Sequence, residues 1–278
     1  MDTNYLNTFI MLAEVGNFTR TSEKLFVAQS TVTNRIAELE KELGKPLFVR
    51  GQKQAELTPE GILFLEYARR IVALEKMSLE SINRIDKYED ILRIGTTNTI
   101  YESYLEKELI TYRSLHPSHA VKIILGHSEE LLLKLQDKIL DVVYSYSPLI
   151  RNGFICDVFH KDKLVLVTAY DNSEYQEGIV REDLMKVEYF MCNFKLKGIG
   201  AFLTELFPPY QQYPFEIDNS IKMIPFLLAG HGYSLLPETV VEPYVKEKLL
   251  RVIPLLNLEA PEIISYRITR DKKRNAVK

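Results

Sequence analysis

Residues Phe18 to Phe48 read FTRTSEKLFVAQSTVTNRIAELEKELGKPLF, and this stretch decides the fold of the N-terminal part. Two short helical patterns meet in a tight turn at Phe26-Val27. Leu25 belongs to the first, and Val32, Ile36, Leu39 and Leu43 form one apolar stripe in the second, at i, i+4, i+7 and i+11. Gln29, Ser30, Thr33, Asn34 and Arg35 crowd the opposite face. A helix that is apolar on one side and carries amides, hydroxyls and a guanidinium on the other can dock on a core. It can also present hydrogen-bonding groups to base edges in a major groove.

Upstream, Tyr5, Phe9, Leu12 and Ala13 share one face, which predicts a helix over 3–15 that Gly16-Asn17 ends. Thr19 is expected to cap a second helix over roughly 20–26. A third covers about 29–43, and Gly44 closes it. Lys45-Pro46-Leu47-Phe48 is extended, because the residue before proline avoids the α region. Val49 to Leu57 reads as a two-stranded wing, so residues 1–58 form a winged helix-turn-helix.

Residues 6–61 resemble the DNA-binding domain of the LysR-type transcriptional regulators. The resemblance rests on Leu6-x-x-Phe9, Gly16-x-Phe18-Thr19, Ala28-Gln29, Ile36-x-x-Leu39-Glu40, Leu43-Gly44, Pro46-Leu47-Phe48-x-Arg50 and Leu57-Thr58-x-x-Gly61. It implies that helix 29–43 enters the major groove with Gln29, Ser30, Thr33 and Asn34 facing bases. Thr31 and Arg35 would reach bases or phosphate, and Arg50 and Lys53 on the wing would hold phosphate or the minor groove. The chain departs from the family pattern at Ala28, where serine is frequent and would cap the helix. It departs again at Ser30 and Asn34, where proline and arginine are common, so its operator preference should differ from that of such relatives.

The net charge is −3, and the composition does not announce a nucleic-acid binder. Residues 16–58 hold seven Lys/Arg against five Asp/Glu, a balance of +2, so position-specific contacts must carry most of the recognition. Two cysteines, Cys156 and Cys192, give no disulfide framework; without a signal peptide this points to the cytoplasm. No apolar run is long enough to span a bilayer, so no membrane association is expected. The five histidines show no zinc spacing, and neither metal nor cofactor is implied.

Thr58-Pro59-Glu60 opens a long helix running to about Asp86, some 28 residues or about 42 Å. Phe64, Ala68, Ile71, Leu74, Ser78, Ile82 and Ile85 mark a stripe near heptad spacing. Residues 59–90 are therefore expected to be a self-pairing linker helix and hinge, making a homodimer or homotetramer that binds an operator with dyad symmetry on double-stranded DNA.

Beyond residue 90 short apolar strands alternate with helices. Strands near 91–95, 121–125 and 140–144, with helices near 99–114 and 128–138, predict a parallel sheet with helices outside. A second unit begins at Leu164, and Ile263 to Thr269 is expected to return to the first. The fold class is α/β, with residues 91–278 forming two lobes, lobe I about 91–163 plus 267–278 and lobe II about 164–266. This half resembles the periplasmic-binding-protein-like effector domain of the same family. Family members usually continue with a helix after the last strand, where this chain stops at Lys278, so a trimmed C-terminus stays open.

Ligands of open α/β sheets bind beyond the carboxyl ends of the strands. Those ends carry Thr96, Thr97, Asn98, Thr99, His127, Ser128, Ser145, Tyr146 and Asn193. Hydroxyls and free N–H groups at helix starts suit a small anionic effector. Tyr101, Tyr104, Tyr144 and Tyr146 could add an aromatic wall. There is no G-x-S-x-G, H-E-x-x-H, P-loop or G-x-G-x-x-G, and no catalytic residue is assigned. A Cys192–His127 pair, a bilobal small-molecule enzyme and an architectural DNA binder without effector are the alternatives to an effector-modulated, sequence-specific regulator.

Overall fold

Leu6, Phe9 and Leu12 recur on one face of α1 (Thr3–Val15), and all three are buried. The Phe9 ring meets Phe48 edge-on at 5.6 Å and Phe64 at 5.5 Å, so one aromatic joins three segments. Ile36 and Leu39 of α3 (Gln29–Leu43) complete this core. The computed structural model describes residues 1–49, 54–82, 88–192, 197–208, 210–230 and 232–271. The chain forms two compact units, Met1–Lys87 and Tyr88–Lys278.

In the first unit α2 spans Phe18–Leu25 and starts earlier than the sequence predicts. Its cap is Asn17, whose side chain accepts from Arg20 N–H at 2.9 Å, and not Thr19. Asn17 is already extended when the helix begins, so its carbonyl oxygen reaches the free amide first. Gly16 and Gly44 close α1 and α3 in the left-handed region, at φ 68° and 65°. Phe48 and Leu57 form an antiparallel bridge at the base of the wing. Arg50 and Lys53 lie outside the described residues.

The wing base is held by one carboxylate. Glu40 Oε1 accepts from Leu47 N–H (2.6 Å) and Phe48 N–H (3.2 Å). The Leu39-Glu40 and Pro46-Leu47-Phe48 motifs are thus two halves of one interaction. Thr58 caps α4 (Pro59–Ile82) by accepting from Gly61 N–H at 3.0 Å. A Cβ on Gly61 would lie 2.2 Å from the Leu47 carbonyl oxygen, so only glycine lets α4 pass there.

The long stripe of α4 divides in two. Phe64 and Ala68 pack into the core of their own unit with Leu65 and Val72. Leu63, Tyr67, Ile71, Leu74, Leu79 and Ile82 are exposed. A heptad reading merges these faces because the helix is wide enough to carry both, and only packing on α1 distinguishes them.

In the second unit β1 (Asp90–Thr96) pairs in parallel with β2 (His119–Leu125) and with β3 (Val142–Ser145). Between β1 and β2 the chain runs through α5 (Asn98–Ile100), a π-helical turn over Tyr101–Leu105 and α6 (Glu106–Leu115). Between β2 and β3 lies α7 (Ser128–Gln136). Asp141 locks this lobe: it accepts from Arg93 N–H at 3.0 Å and pairs with Arg270 at 3.1 Å.

The strand predicted to begin at Leu164 begins ten residues earlier. β4 is continuous over Phe154–Ala169. Its first half is mostly exposed and its last six residues are mostly buried, so an apolar-run reading sees only the buried end. The following elements are α8 (Arg181–Leu184), β5 (Met191–Cys192), α9 (Lys197–Leu206), β6 (Glu216–Ile217), α10 (Ser220–Leu228), β7 (Ser234–Pro237), α11 (Glu238–Lys246), β8 (Leu250–Ile253) and β9 (Glu262–Arg270). Residues 154–163 of β4 pair with β9, and residues 164–169 pair with β7 and β8. β9 also pairs with β3, so the last strand returns to the first lobe's sheet.

Glu40→Ala should destabilise the winged unit by about 1–3 kcal/mol, since two backbone N–H groups lose their acceptor. Glu40→Gln, which keeps an acceptor, should lose less. Chemical denaturation of the three proteins measures the order.

Candidate nucleic-acid interface and inter-lobe pocket

Gln29, Ser30, Thr33 and Asn34 are exposed on α3, while Thr31 and Arg35 are half-buried. The helix starts after Ala28 with no side-chain cap. Thr31 N–H donates to the Ala28 carbonyl at 3.0 Å, and the Gln29 and Ser30 N–H groups ahead of it have no side-chain cap and can meet an anion such as phosphate. Thr33 returns its hydroxyl to the Gln29 carbonyl at 3.1 Å. Thr19, displaced from its predicted capping role, donates to Gln29 Oε1 at 3.3 Å and orients that amide. The Arg35 guanidinium donates to the buried Thr8 hydroxyl at 3.2 Å, tying α3 to α1.

In the second unit a pocket of about 370 Å³ opens where the lobes meet. Thr97, Asn98, Thr99, His127, Ser128 and Tyr146 line it, bringing together six of the nine predicted ligand residues. Thr97 is the N-cap of α5 and accepts from Ile100 N–H at 3.4 Å. Ser128 accepts from Tyr146 N–H at 3.3 Å, which leaves its own O–H to donate. Burial pushes the Tyr146 phenol well above its ordinary range, partly offset by a hydrogen bond with Thr99. The ring therefore acts as a neutral hydrogen-bonding group at physiological pH.

Thr96 and Ser145 are fully buried and do not line the pocket. The Thr96 hydroxyl donates to the Thr97 carbonyl at 3.3 Å, and the Ser145 hydroxyl to the Ser147 carbonyl at 3.0 Å. Both shape the loops that carry the lining residues. Asn193 lies outside the described residues. Of the proposed aromatic wall, Tyr104 instead binds Asp162 (2.8 Å) and Thr239 (3.1 Å), and Tyr144 faces a separate groove with Glu108 and Arg267.

The far wall is Asp218, Asn219 and Ser220, which the sequence reading missed. Asn219 caps α10 by accepting from Ile221 and Lys222 N–H, both at 3.1 Å. A cap residue ahead of the apolar run 221–229 was the available signal, the same logic that singled out Thr97 and Ser128. The two walls meet at Thr99 Oγ1 and Ser220 Oγ, 3.0 Å apart. Three helix starts, those of α5, α7 and α10, thus converge on the cavity. Among the described lining residues there is no lysine or arginine, and Glu129 and Asp218 supply negative charge at the rim.

Cys192 is 1% exposed and packs with Phe190, Leu227 and Leu236. Burial pushes its thiol up to about 12, which removes it as a nucleophile. Among the described residues no group of three His, Cys, Asp or Glu side chains is placed to hold a metal ion. No described helix is long and apolar enough to cross a membrane.

A winged helix-turn-helix followed by a bilobal domain with a polar cleft defines a ligand-responsive regulator architecture. Residues 3–62 match the bacterial regulatory helix-turn-helix protein, lysR family, and residues 86–277 match the LysR substrate binding domain. The chain belongs to the LysR family and is a DNA-binding transcriptional regulator, not an enzyme. It is 26% identical over 96% of its length, and 93% of the relative, to the HTH-type transcriptional regulator CitR of Bacillus subtilis (strain 168). The crystal structure of CbnR, a LysR family transcriptional regulator, shares the fold with a TM-score of 0.69 at 21% identity, covering 98% of this chain and 94% of that one. Full-length CbnR complexed with its target DNA gives 0.65 at 22% identity, with coverage of 98% and 94%.

Thiol labelling at about pH 8 should modify the half-buried Cys156 in the native protein and Cys192 only after denaturation, because the raised Cys192 pKa keeps that thiol protonated. Mass mapping of the labelled peptides reads this directly.

Proposed function

We propose that the exposed polar face of α3 reads an operator in the major groove, and that a small anionic effector in the inter-lobe pocket modulates this binding. The carrying observation is the convergence of Thr97, Asn98, Thr99, His127, Ser128 and Tyr146, with Asn219 and Ser220 opposite, on one cavity at three helix starts. Backbone N–H groups and helix dipoles accept a carboxylate or sulfonate without an arginine clamp. The negative rim directs that group toward the helix starts and away from Glu129 and Asp218. Thr96 and Ser145 support the site from behind, through the loops that carry the lining residues.

On the DNA side, Gln29, Ser30, Thr33 and Asn34 face bases. Thr31 and Arg35 border phosphate, Arg35 while bracing α3 on α1. Arg50 and Lys53 on the wing hold the backbone. The DNA complex of CbnR supports this use of the fold. The exposed stripe Leu63, Tyr67, Ile71, Leu74 and Ile82 supports pairing of α4 between two copies, which sets two recognition helices on a dyad. A homodimer or homotetramer follows, acting in the cytoplasm. We divide the chain into residues 1–58 for DNA binding, 59–90 for pairing and hinge, and 91–278 for the effector, with lobe I about 91–163 plus 267–278 and lobe II about 164–266.

The Thr99–Ser220 hydrogen bond joins the two lobes at the pocket. A ligand entering there competes with it and favours one lobe arrangement. Only such a difference in affinity between arrangements can change DNA binding. Selection of genomic fragments by the purified protein at physiological salt should recover a small set sharing a dyad. Recovery of random fragments whose binding collapses with salt would sink the operator reading. Asn34→Ala should weaken binding to the recovered fragments by roughly tenfold and leave random DNA unchanged. Ser128→Ala should shift the effector dose–response curve by roughly tenfold without altering effector-free DNA binding. An unmoved curve would place the effector elsewhere.

A further inference from the structure

Phe26 breaks the local rules of the helix-turn-helix in two ways. Its ring is 95% exposed, so it contributes almost nothing to the hydrophobic core. Its backbone is left-handed, with φ 53° and ψ 42°. The end of α2 imposes that conformation. Phe26 N–H donates to the Glu23 carbonyl at 3.2 Å, and Val27 N–H to the Ser22 carbonyl at 3.0 Å. This pair of bonds is a Schellman cap, whose closing residue is usually glycine or asparagine because a Cβ is strained there. The apolar contact of such a cap is made by the next residue, here the half-buried Val27. Neither the cap nor the core therefore asks for a phenyl ring at position 26. A strained backbone carrying a large apolar group in water is unfavourable for folding alone, and such departures mark functional positions.

The position adds the chemistry. Phe26 lies two residues ahead of Ala28, the N-cap of α3, at the helix end that carries Gln29 and Ser30. The thymine C5-methyl is the apolar group that base edges present in the major groove. We propose that Phe26 is a further specificity-determining residue, whose ring packs on a thymine methyl at the edge of the groove entered by α3. This rests on the reading of α3 given above.

Phe26→Asn suits the left-handed cap and tests the idea without endangering the fold. Its melting temperature should equal or exceed that of the unmodified protein. Its affinity for genomic fragments selected by the unmodified protein should fall by roughly tenfold, the size of one lost apolar contact, with random DNA unaffected. The salt dependence should not change, since no charge is removed. Replacing thymines of a selected fragment one at a time by uracil deletes single methyls. One such replacement should weaken the unmodified protein and leave Phe26→Asn indifferent.

Unchanged affinity of Phe26→Asn, equal loss on selected and random DNA (a deoxyribose contact), or uracil effects identical in both proteins would each overturn the proposal. So would intact DNA binding with altered oligomeric state, which assigns the ring to another copy of the chain. Asn34→Ala separates the two levels of argument. If it loses discrimination while Phe26→Asn does not, the contact alone fails. If neither variant changes discrimination, the base-reading role of α3 fails with it.

Discussion

Backbone pairing along β4 is the constraint on which the ligand-binding half depends. One strand, Phe154–Ala169, spends its first ten residues against β9 and its last six against β7 and β8. The partner strands change at Lys163, from β9 before it to β7 and β8 beyond it. The strand cannot slip, because a shift of one residue would exchange Leu164 and Leu166, packed in one core, with Val167, packed in the other. The lobes therefore share a fixed pivot, while their facing surfaces meet through side chains. Asp162, at the pivot, accepts from the Tyr104 hydroxyl at 2.8 Å and from Thr239 N–H at 3.3 Å. Thr99 and Ser220 make the corresponding contact at the pocket. Side-chain hydrogen bonds of this kind are individually weak, so the lobe arrangement is adjustable where the strand is not.

The winged unit solves a different problem, holding a polar helix face outward on a small core. Phe9 supplies the volume, and Glu40 satisfies the backbone where the chain leaves α3 for the wing. Arg35 shows how the two demands trade off. It sits on the reading helix, yet its guanidinium is spent on Thr8 of α1, which fixes the helix that carries Gln29 and Asn34.

Helix starts unite the two halves chemically. Where a side chain caps the start, as Asn17, Thr58 and Asn219 do, one amide is satisfied internally. Where none does, as at Ala28 and His127, the leading amides have no side-chain acceptor.

The sequence by itself determined elements whose signal is local, α3 and the start of α4 among them. The stripe Val32, Ile36, Leu39 placed α3, because helical periodicity and burial on one face are the same fact. Pro59 and Thr58 placed the start of α4, and the strand ends near 97 and 128 placed one wall of the pocket. The tertiary structure alone decided what depends on distant partners. The exposed half of β4, broken by Asp157 and by His160 to Lys163, becomes strand through its pairing with β9, which joins residues about a hundred positions apart. Phe64 and Ala68 separate from Ile71 and Leu74 only because α1 covers the former. Ser220 becomes part of the pocket through Thr99, 121 residues away, a closeness that no local pattern encodes because it is created by chain reversal and packing.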